Sequence, residues 1–164
     1  IASKWFSNVF YKNIDGKKME NMSQQMGLDS RFPSNAWCSL DYDNDGDLDI
    51  VLAPYAAPAV IYRNNTNSSK NSIVFQLNDN SGNYYGINSR LYIYYGPENS
   101  KHQMREVQIA GGNKSFNSST VHFGLNEFEK ITKLKVVWST GEVTEFNQDF
   151  KAGSKYIINR GELN

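Results

Sequence analysis

Neither sign of charge is in excess in this sequence. Lys and Arg total 17, Asp and Glu total 17, and the net charge is zero. Nucleic-acid binding needs a basic footprint to neutralise phosphates, so the balance argues against that class. It also leaves no polybasic patch for an anionic membrane surface. Cysteine is nearly absent: Cys38 stands alone, so no intrachain disulfide can form, and it is expected to be a small buried apolar residue. No apolar run reaches the length of a membrane span, so no membrane insertion is expected. The first residue is Ile1 and no leader pattern is read here, so the chain is expected to be a processed chain or a fragment from which any targeting segment has been lost. Histidine occurs twice. Neither a nucleophile elbow nor a paired-carboxylate arrangement accompanies His102 or His122, and the chain is expected not to be an enzyme.

What is present suits a globular β protein. The 164 residues are 39% hydrophobic and 13% aromatic, enough for one domain or two small ones with a real core. Short apolar or alternating runs lie between clusters of Gly, Asn, Asp and Ser, which predicts strands nearly throughout. The expected strands are 9–12, 35–40, 48–53, 59–63, 72–77, 89–95, 104–110, 120–123, 133–138, 143–146 and 155–159. Period-2 alternation is clearest at Leu91, Ile93 and Tyr95 and at Leu134, Val136 and Trp138. Helix signals are few: a turn or two over Met19–Met26, closed by Gly27, and one turn over Asn126–Lys130. The polar stretch Asn64–Asn71 holds no apolar residue and marks the expected boundary between a domain at 1–66 and another at 71–160.

The loop Asp41-Tyr42-Asp43-Asn44-Asp45-Gly46-Asp47-Leu48-Asp49 carries five carboxylates in nine residues. Such crowding is repulsive unless a cation sits among the oxygens. The spacing D-x-D-x-D-G-x-x-D offers side-chain oxygens from Asp41, Asp43 and Asp45, a tight turn at Gly46, the Asp47 carbonyl with its side chain outward, and Asp49 to close the site. Ca²⁺ takes six to eight oxygen ligands and fits this set; Mg²⁺ retains its waters, and Zn²⁺ would want His or Cys nearby. An EF-hand is excluded because its twelfth loop position falls on Leu52, and because the exit Leu48–Ala53 reads as a buried strand. The ion's expected role is structural.

Other residues have plainer readings. His122 could serve as a base beside Ser118 or Ser119, but a strand histidine bonded to a backbone group is the simpler account. His102 falls in the polar stretch Glu98–Gln103, expected to be a solvated loop. Tyr84, Tyr85, Tyr92, Tyr94 and Tyr95 could stack sugars or simply pack, with Tyr92 and Tyr94 sharing a strand face. Trp138 is expected in the core. Arg105 with Glu106 reads as a surface ion pair across a sheet or as a partner contact. Sequons start at Asn21, Asn64, Asn67, Asn113 and Asn117, and imply glycans only in a eukaryotic secreted chain.

The segment Asn8-Val9-Phe10-Tyr11-Lys12-Asn13-Ile14-Asp15-Gly16, with Gly27-Leu28, Ala36-Trp37, the acidic loop and Ile61-Tyr62-Arg63-Asn64-Asn65, resembles an FG-GAP/VCBS-type repeat, a β-propeller blade. In that family the aspartate loop binds calcium. Downstream, Gly86-Ile87-Asn88-Ser89-Arg90-Leu91, Arg105-Glu106-Val107, Gly111 with Ser115-Phe116-Asn117-Ser118, His122-Phe123-Gly124-Leu125 and Val136-Val137-Trp138-Ser139-Thr140-Gly141 resemble an ASPIC/UnbV domain of the cartilage acidic protein-like family.

The resemblance implies an all-β architecture: a partial propeller blade with its calcium loop, then a small β-sandwich-like C-terminal domain. It implies a place outside the cell, on the cell surface or in the periplasm, and together with the acidic loop the expected function is a calcium-binding, non-catalytic adhesion or scaffold module. A single blade leaves strand edges open, so preceding blades or a protein partner are expected. The alternatives are a carbohydrate-binding module with a glycan ligand, or a structural subunit of a multi-chain complex.

Overall fold

The computed structural model describes residues 7–29, 32–65, 71–112 and 114–161. The chain is all-β, with no α-helix among the described residues. In chain order the strands are β1 (Tyr11–Ile14), β2 (Lys18–Asn21), β3 (Ser34–Leu40), β4 (Asp49–Pro54), β5 (Val60–Tyr62), β6 (Asn71–Asn78), β7 (Arg90–Tyr95), β8 (Lys101–Glu106), β9 (Ala110–Gly112), β10 (Ser115–Phe116), β11 (Val121–Asn126), β12 (Lys130–Ile131), β13 (Lys133–Val137), β14 (Val143–Phe146), β15 (Phe150–Lys151) and β16 (Lys155–Asn159). The chain forms two compact units. One comprises Ile1–Asp43, Leu48–Asn65 and Ala110–Asn117; the other comprises Asn44–Asp47, Thr66–Ile109 and Ser118–Asn164.

The first unit holds the β1–β2 hairpin and an antiparallel sheet in the order β3-β4-β5. No propeller is closed among the described residues. The helical turns expected over Met19–Met26 give way to β2, because Met19 and Glu20 pair with Asn13 and Lys12 across the hairpin. One turn survives beyond it, where Met26 N–H donates to the Met22 carbonyl at 2.9 Å. Buried polar side chains fix this corner: Asn8 Nδ2 donates to Ser34 Oγ at 3.0 Å, and Phe10 N–H donates to Ser23 Oγ at 2.8 Å.

β3 is an edge strand, and an open edge presents unpaired N–H groups. Its outer N–H groups are met by side chains from the β9–β10 segment. Trp37 N–H donates to Ser115 Oγ at 3.2 Å and Ser39 N–H to Asn117 Oδ1 at 3.3 Å. A continuous strand over 104–110 was expected here. Instead β8 ends at Glu106, and Ala110–Asn117 joins the first unit.

In the second unit the sheets β11-β6-β16 and β14-β13-β7-β8 share one core. β6 is its spine, paired antiparallel with β11 and parallel with β16. The alternation read from the sequence is borne out: Leu91, Ile93, Leu134, Val136 and Trp138 are all buried, as are Ile73, Phe75 and Leu77 on β6. Trp138 Nε1 donates to Thr144 Oγ1 at 2.8 Å, satisfying the one polar atom of that ring.

Glu98–Gln103 is not wholly a loop, since Lys101 to Gln103 open β8 and place His102 on a strand. Arg105 lies over the Phe123 ring at 5.6 Å and does not pair with Glu106; Glu106 pairs instead with Arg90, directly opposite, at 3.3 Å. Cys38 is half-buried on β3 rather than fully buried.

A clasp closes the end of this unit. Arg160 Nη1 contacts Asp79 Oδ2 at 3.0 Å and Nη2 contacts Glu142 Oε2 at 2.7 Å, with the guanidinium 5.6 Å from the Trp138 ring. Asp79 is 1% exposed. Burial pushes its carboxyl up, but hydrogen bonds from the Ser81 hydroxyl, the Ser81 N–H and Arg160 outweigh this and hold it below the ordinary aspartate value. A carboxyl lowered in the folded state contributes stability that is complete above its unfolded value, near 3.9, and is lost as pH falls through the folded value.

Two outcomes are expected. Asp79→Ala lowers Tm by several degrees at pH 7 and flattens the acid limb of the stability curve below about pH 4, read by circular dichroism. A chain truncated to residues 1–66 loses Ser115 and Asn117 from the β3 edge; it fails to give a cooperative melt and aggregates in sedimentation runs.

Candidate metal centre

The acidic loop connects β3 to β4. Two residues turn the chain in left-handed conformations, Asn44 at φ 60° and Gly46 at φ 92°. Asn tolerates this region better than most residues, and Gly adopts it freely. A Cβ at Gly46 would also meet Ser72 Oγ at 3.1 Å.

Asp49 is 1% exposed and stands at the start of β4. Its Oδ2 accepts from Tyr42 N–H at 2.8 Å and its Oδ1 from Asn64 N–H at 2.7 Å. One buried carboxylate thus binds the beginning of the loop and the segment beyond β5. A carboxylate oxygen has two lone-pair directions, so these bonds leave acceptor capacity on Asp49. Carboxylate oxygens of Asp41, Asp43 and Asp49 lie within 4.8 Å of one another. Asp43 Oδ1 is buried and accepts no hydrogen bond. Arg63 Nε lies 2.6 Å from Asp43 Oδ2, near enough for charge pairing though off the hydrogen-bond line.

The five aspartates of the motif therefore divide. Asp41, Asp43 and Asp49 converge. Asp45 is exposed, and its Oδ1 accepts from Asp47 N–H at 3.1 Å, closing a small turn at the tip. Asp47 was pictured with its side chain outward, yet it is half-buried and its Oδ1 is shielded from solvent. The alternating spacing signalled the set, and it did not signal which members would meet.

Residues 44–47 belong to the second unit. There the Gly46 carbonyl accepts from Ser72 Oγ at 2.6 Å, and His122 Nε2 lies 2.9 Å from the same oxygen. A carbonyl only accepts, so Nε2 carries the hydrogen. His122 is thus a strand histidine with a backbone partner. Ser118 Oγ bonds instead with Thr120, accepting from its N–H at 3.2 Å.

Three O-donor carboxylates within 4.8 Å suit a hard cation. Ligands at 2.3–2.6 Å from an ion stand at most about 5 Å apart across it. The buried Asp43 Oδ1, with no hydrogen donor, is a further mark of fit. Arg63 and Asn64 were not foreseen beside these carboxylates, nor Ser72 and His122 beside the Gly46 carbonyl. Only the Arg63-Asn64-Asn65 run carried a signal, as part of the repeat-like pattern.

Among the sequon asparagines, Asn21 Oδ1 accepts from Ser23 Oγ at 2.6 Å and Asn117 Oδ1 accepts from Ser39 N–H on β3. The sequons starting at Asn67 and Asn113, and most of the 64–71 boundary, lie outside the described residues.

No curated protein matches the chain. The sequence profile of the family described as ASPIC and UnbV matches residues 79–164, more than half of the length. Domains of this family are associated with secreted and surface proteins. No helix among the described residues is long and apolar enough to cross a membrane. The matched span begins just after β6 and contains β7, the Trp138 turn and Arg160. The chain belongs to the ASPIC and UnbV family.

Proposed function

We propose that this chain is a calcium-stabilised, non-catalytic adhesion or scaffold module that works on a cell surface, in the periplasm or outside the cell. The observation that carries the reading is the convergence of Asp41, Asp43 and Asp49 within 4.8 Å in a D-x-D-x-D-G-x-x-D loop leading into a strand. Ca²⁺ would be held by those three carboxylates, with Asp45 and Asp47 supplying further oxygens at the loop tip. The ion would neutralise crowded charge and pin the start of β4, the task a larger core performs elsewhere.

The first unit is read as an FG-GAP/VCBS-type repeat. A hairpin followed by a three-stranded antiparallel sheet, with the acidic loop between its first two strands, supports this. Its sheet borders an apolar cleft of about 470 Å³ lined by residues that include Phe10, Met19, Trp37, Ile50, Leu52 and Tyr62. Further blades or a protein partner would cover that cleft and the edge of β5.

The test is a melt with and without the metal. With a Kd near 10⁻⁴ M, typical of extracellular calcium modules, 1 mM Ca²⁺ adds about 1.4 kcal/mol. For a chain of this size that is a rise of about 3–6 °C in Tm. Asp43→Asn removes the rise, whereas Asp45→Asn reduces it less. An identical melt in Ca²⁺ and in chelator contradicts the reading.

A further inference from the structure

The tyrosines of the second unit fall into two sets. Tyr95 is buried, and Tyr92 and Tyr94 are half-buried on β7, with Lys133 Nζ 5.7 Å from the Tyr94 ring. Tyr84 and Tyr85 are 58% and 48% exposed. Their rings meet edge to face, with centroids 5.0 Å apart and planes at 82°.

The loop that carries this pair, between β6 and β7, is tightly bound. Asp79 N–H donates to the Tyr84 carbonyl at 2.9 Å, and Gly86 N–H donates to the Asn83 carbonyl at 2.7 Å. Asn83 Oδ1 accepts from Ile87 N–H at 3.0 Å, while its Nδ2 donates to the Ile87 carbonyl at 2.8 Å and to Ser139 Oγ at 3.1 Å. Gly86 sits at φ 62° against Leu77, where a Cβ would come within 2.8 Å of the leucine Cδ1. Two large amphipathic rings are therefore displayed on a backbone already ordered. A ligand arriving there immobilises little that is not fixed beforehand.

The surroundings carry little charge of their own, and the Arg160 guanidinium that reaches them is committed to Asp79, Glu142, Ser81 Oγ and Thr140 Oγ1. The loop reads Asp79-Asn80-Ser81-Gly82-Asn83-Tyr84-Tyr85-Gly86-Ile87-Asn88-Ser89, and the turn reached through Asn83 is Ser139-Thr140-Gly141. Asp79 is the one charge in these segments, and it is buried against Arg160, whose other amino group is taken by Glu142. An anionic ligand finds no uncommitted cation in these segments, and a cationic ligand no uncommitted carboxylate. A neutral ring bearing hydroxyls fits instead. Its C–H face can rest on the negative face of one tyrosine while its rim meets the other. Its hydroxyls can exchange water for the loop's amides and hydroxyls.

We propose that the Tyr84–Tyr85 corner is a binding site for neutral pyranose sugars, taking one ring of a glycan. The site is independent of the metal reading, since no residue of it belongs to the acidic loop.

The test is saturation-transfer NMR and calorimetry on the full chain. The probes are methyl glycosides and short oligomers of glucose, galactose, mannose and N-acetylglucosamine, with heparin and glucuronate oligomers alongside. At least one neutral probe is expected to bind. Tyr84→Ala or Tyr85→Ala is expected to weaken it about tenfold with Tm unchanged, while Tyr92→Ala leaves it as it was. No binding of any neutral probe at tens of millimolar, equal binding by the variants, or a preference for the acidic oligomers overturns the proposal. So does a photo-crosslinker at position 84 that captures a protein partner no sugar displaces.

Discussion

A single buried carboxylate organises the acidic loop. Asp49, 1% exposed, spends both oxygens on backbone N–H groups from either side of the β4–β5 hairpin. Fixing it there brings Asp41 and Asp43 within 4.8 Å of it and of each other. Unit charges about 4 Å apart repel by about 1 kcal/mol in water and about 4 kcal/mol at the effective dielectric of a protein surface. Three such repulsions are a heavy load for one loop. The Arg63 guanidinium offsets one carboxylate and is itself largely exposed. A divalent cation, as proposed, would offset more, from the middle of the cluster, and would order the chain by occupying it.

The second unit is stabilised by different means. Its alternating strands bury one contiguous apolar cluster, with Phe75 in ring contact with Phe123, Phe150 and Tyr156. The clasp of Asp79, Glu142 and Arg160 ties the end of β16 to the two turns that follow β6 and β13. The span matched by the family begins at residue 79, yet β6 pairs on both sides within the same sheet. The folded unit is therefore larger than the recognisable one. The segment 110–117 reverses the relation, lying within the matched span while packing with the first unit.

Legibility in the sequence followed the physics of burial. Strands with one face fully buried, such as 90–95 and 133–137, showed their period directly. β8 did not. It is an edge strand on which Lys101, Gln103 and Arg105 stand opposite the buried Tyr95, Ile93 and Leu91, and the charged ends of Lys101 and Arg105 lie over the Phe128 and Phe123 rings, so polar letters hid the face turned to the core. β2 was obscured because Lys18–Asn21 is mostly exposed and its pairing with β1 is what makes it a strand. The acidic loop stood out as a set because its carboxylates fall at alternate positions. Which aspartates converge was not legible, since that depends on Tyr42 and Asn64 donating to Asp49. Those contacts leave no local pattern.

The most direct measurement is an anomalous difference map from crystals grown in millimolar CaCl₂. The account predicts a peak bounded by Asp41, Asp43 and Asp49, at calcium–oxygen distances of about 2.3–2.6 Å. A map with no peak there, and Arg63 still seated on Asp43, would contradict it.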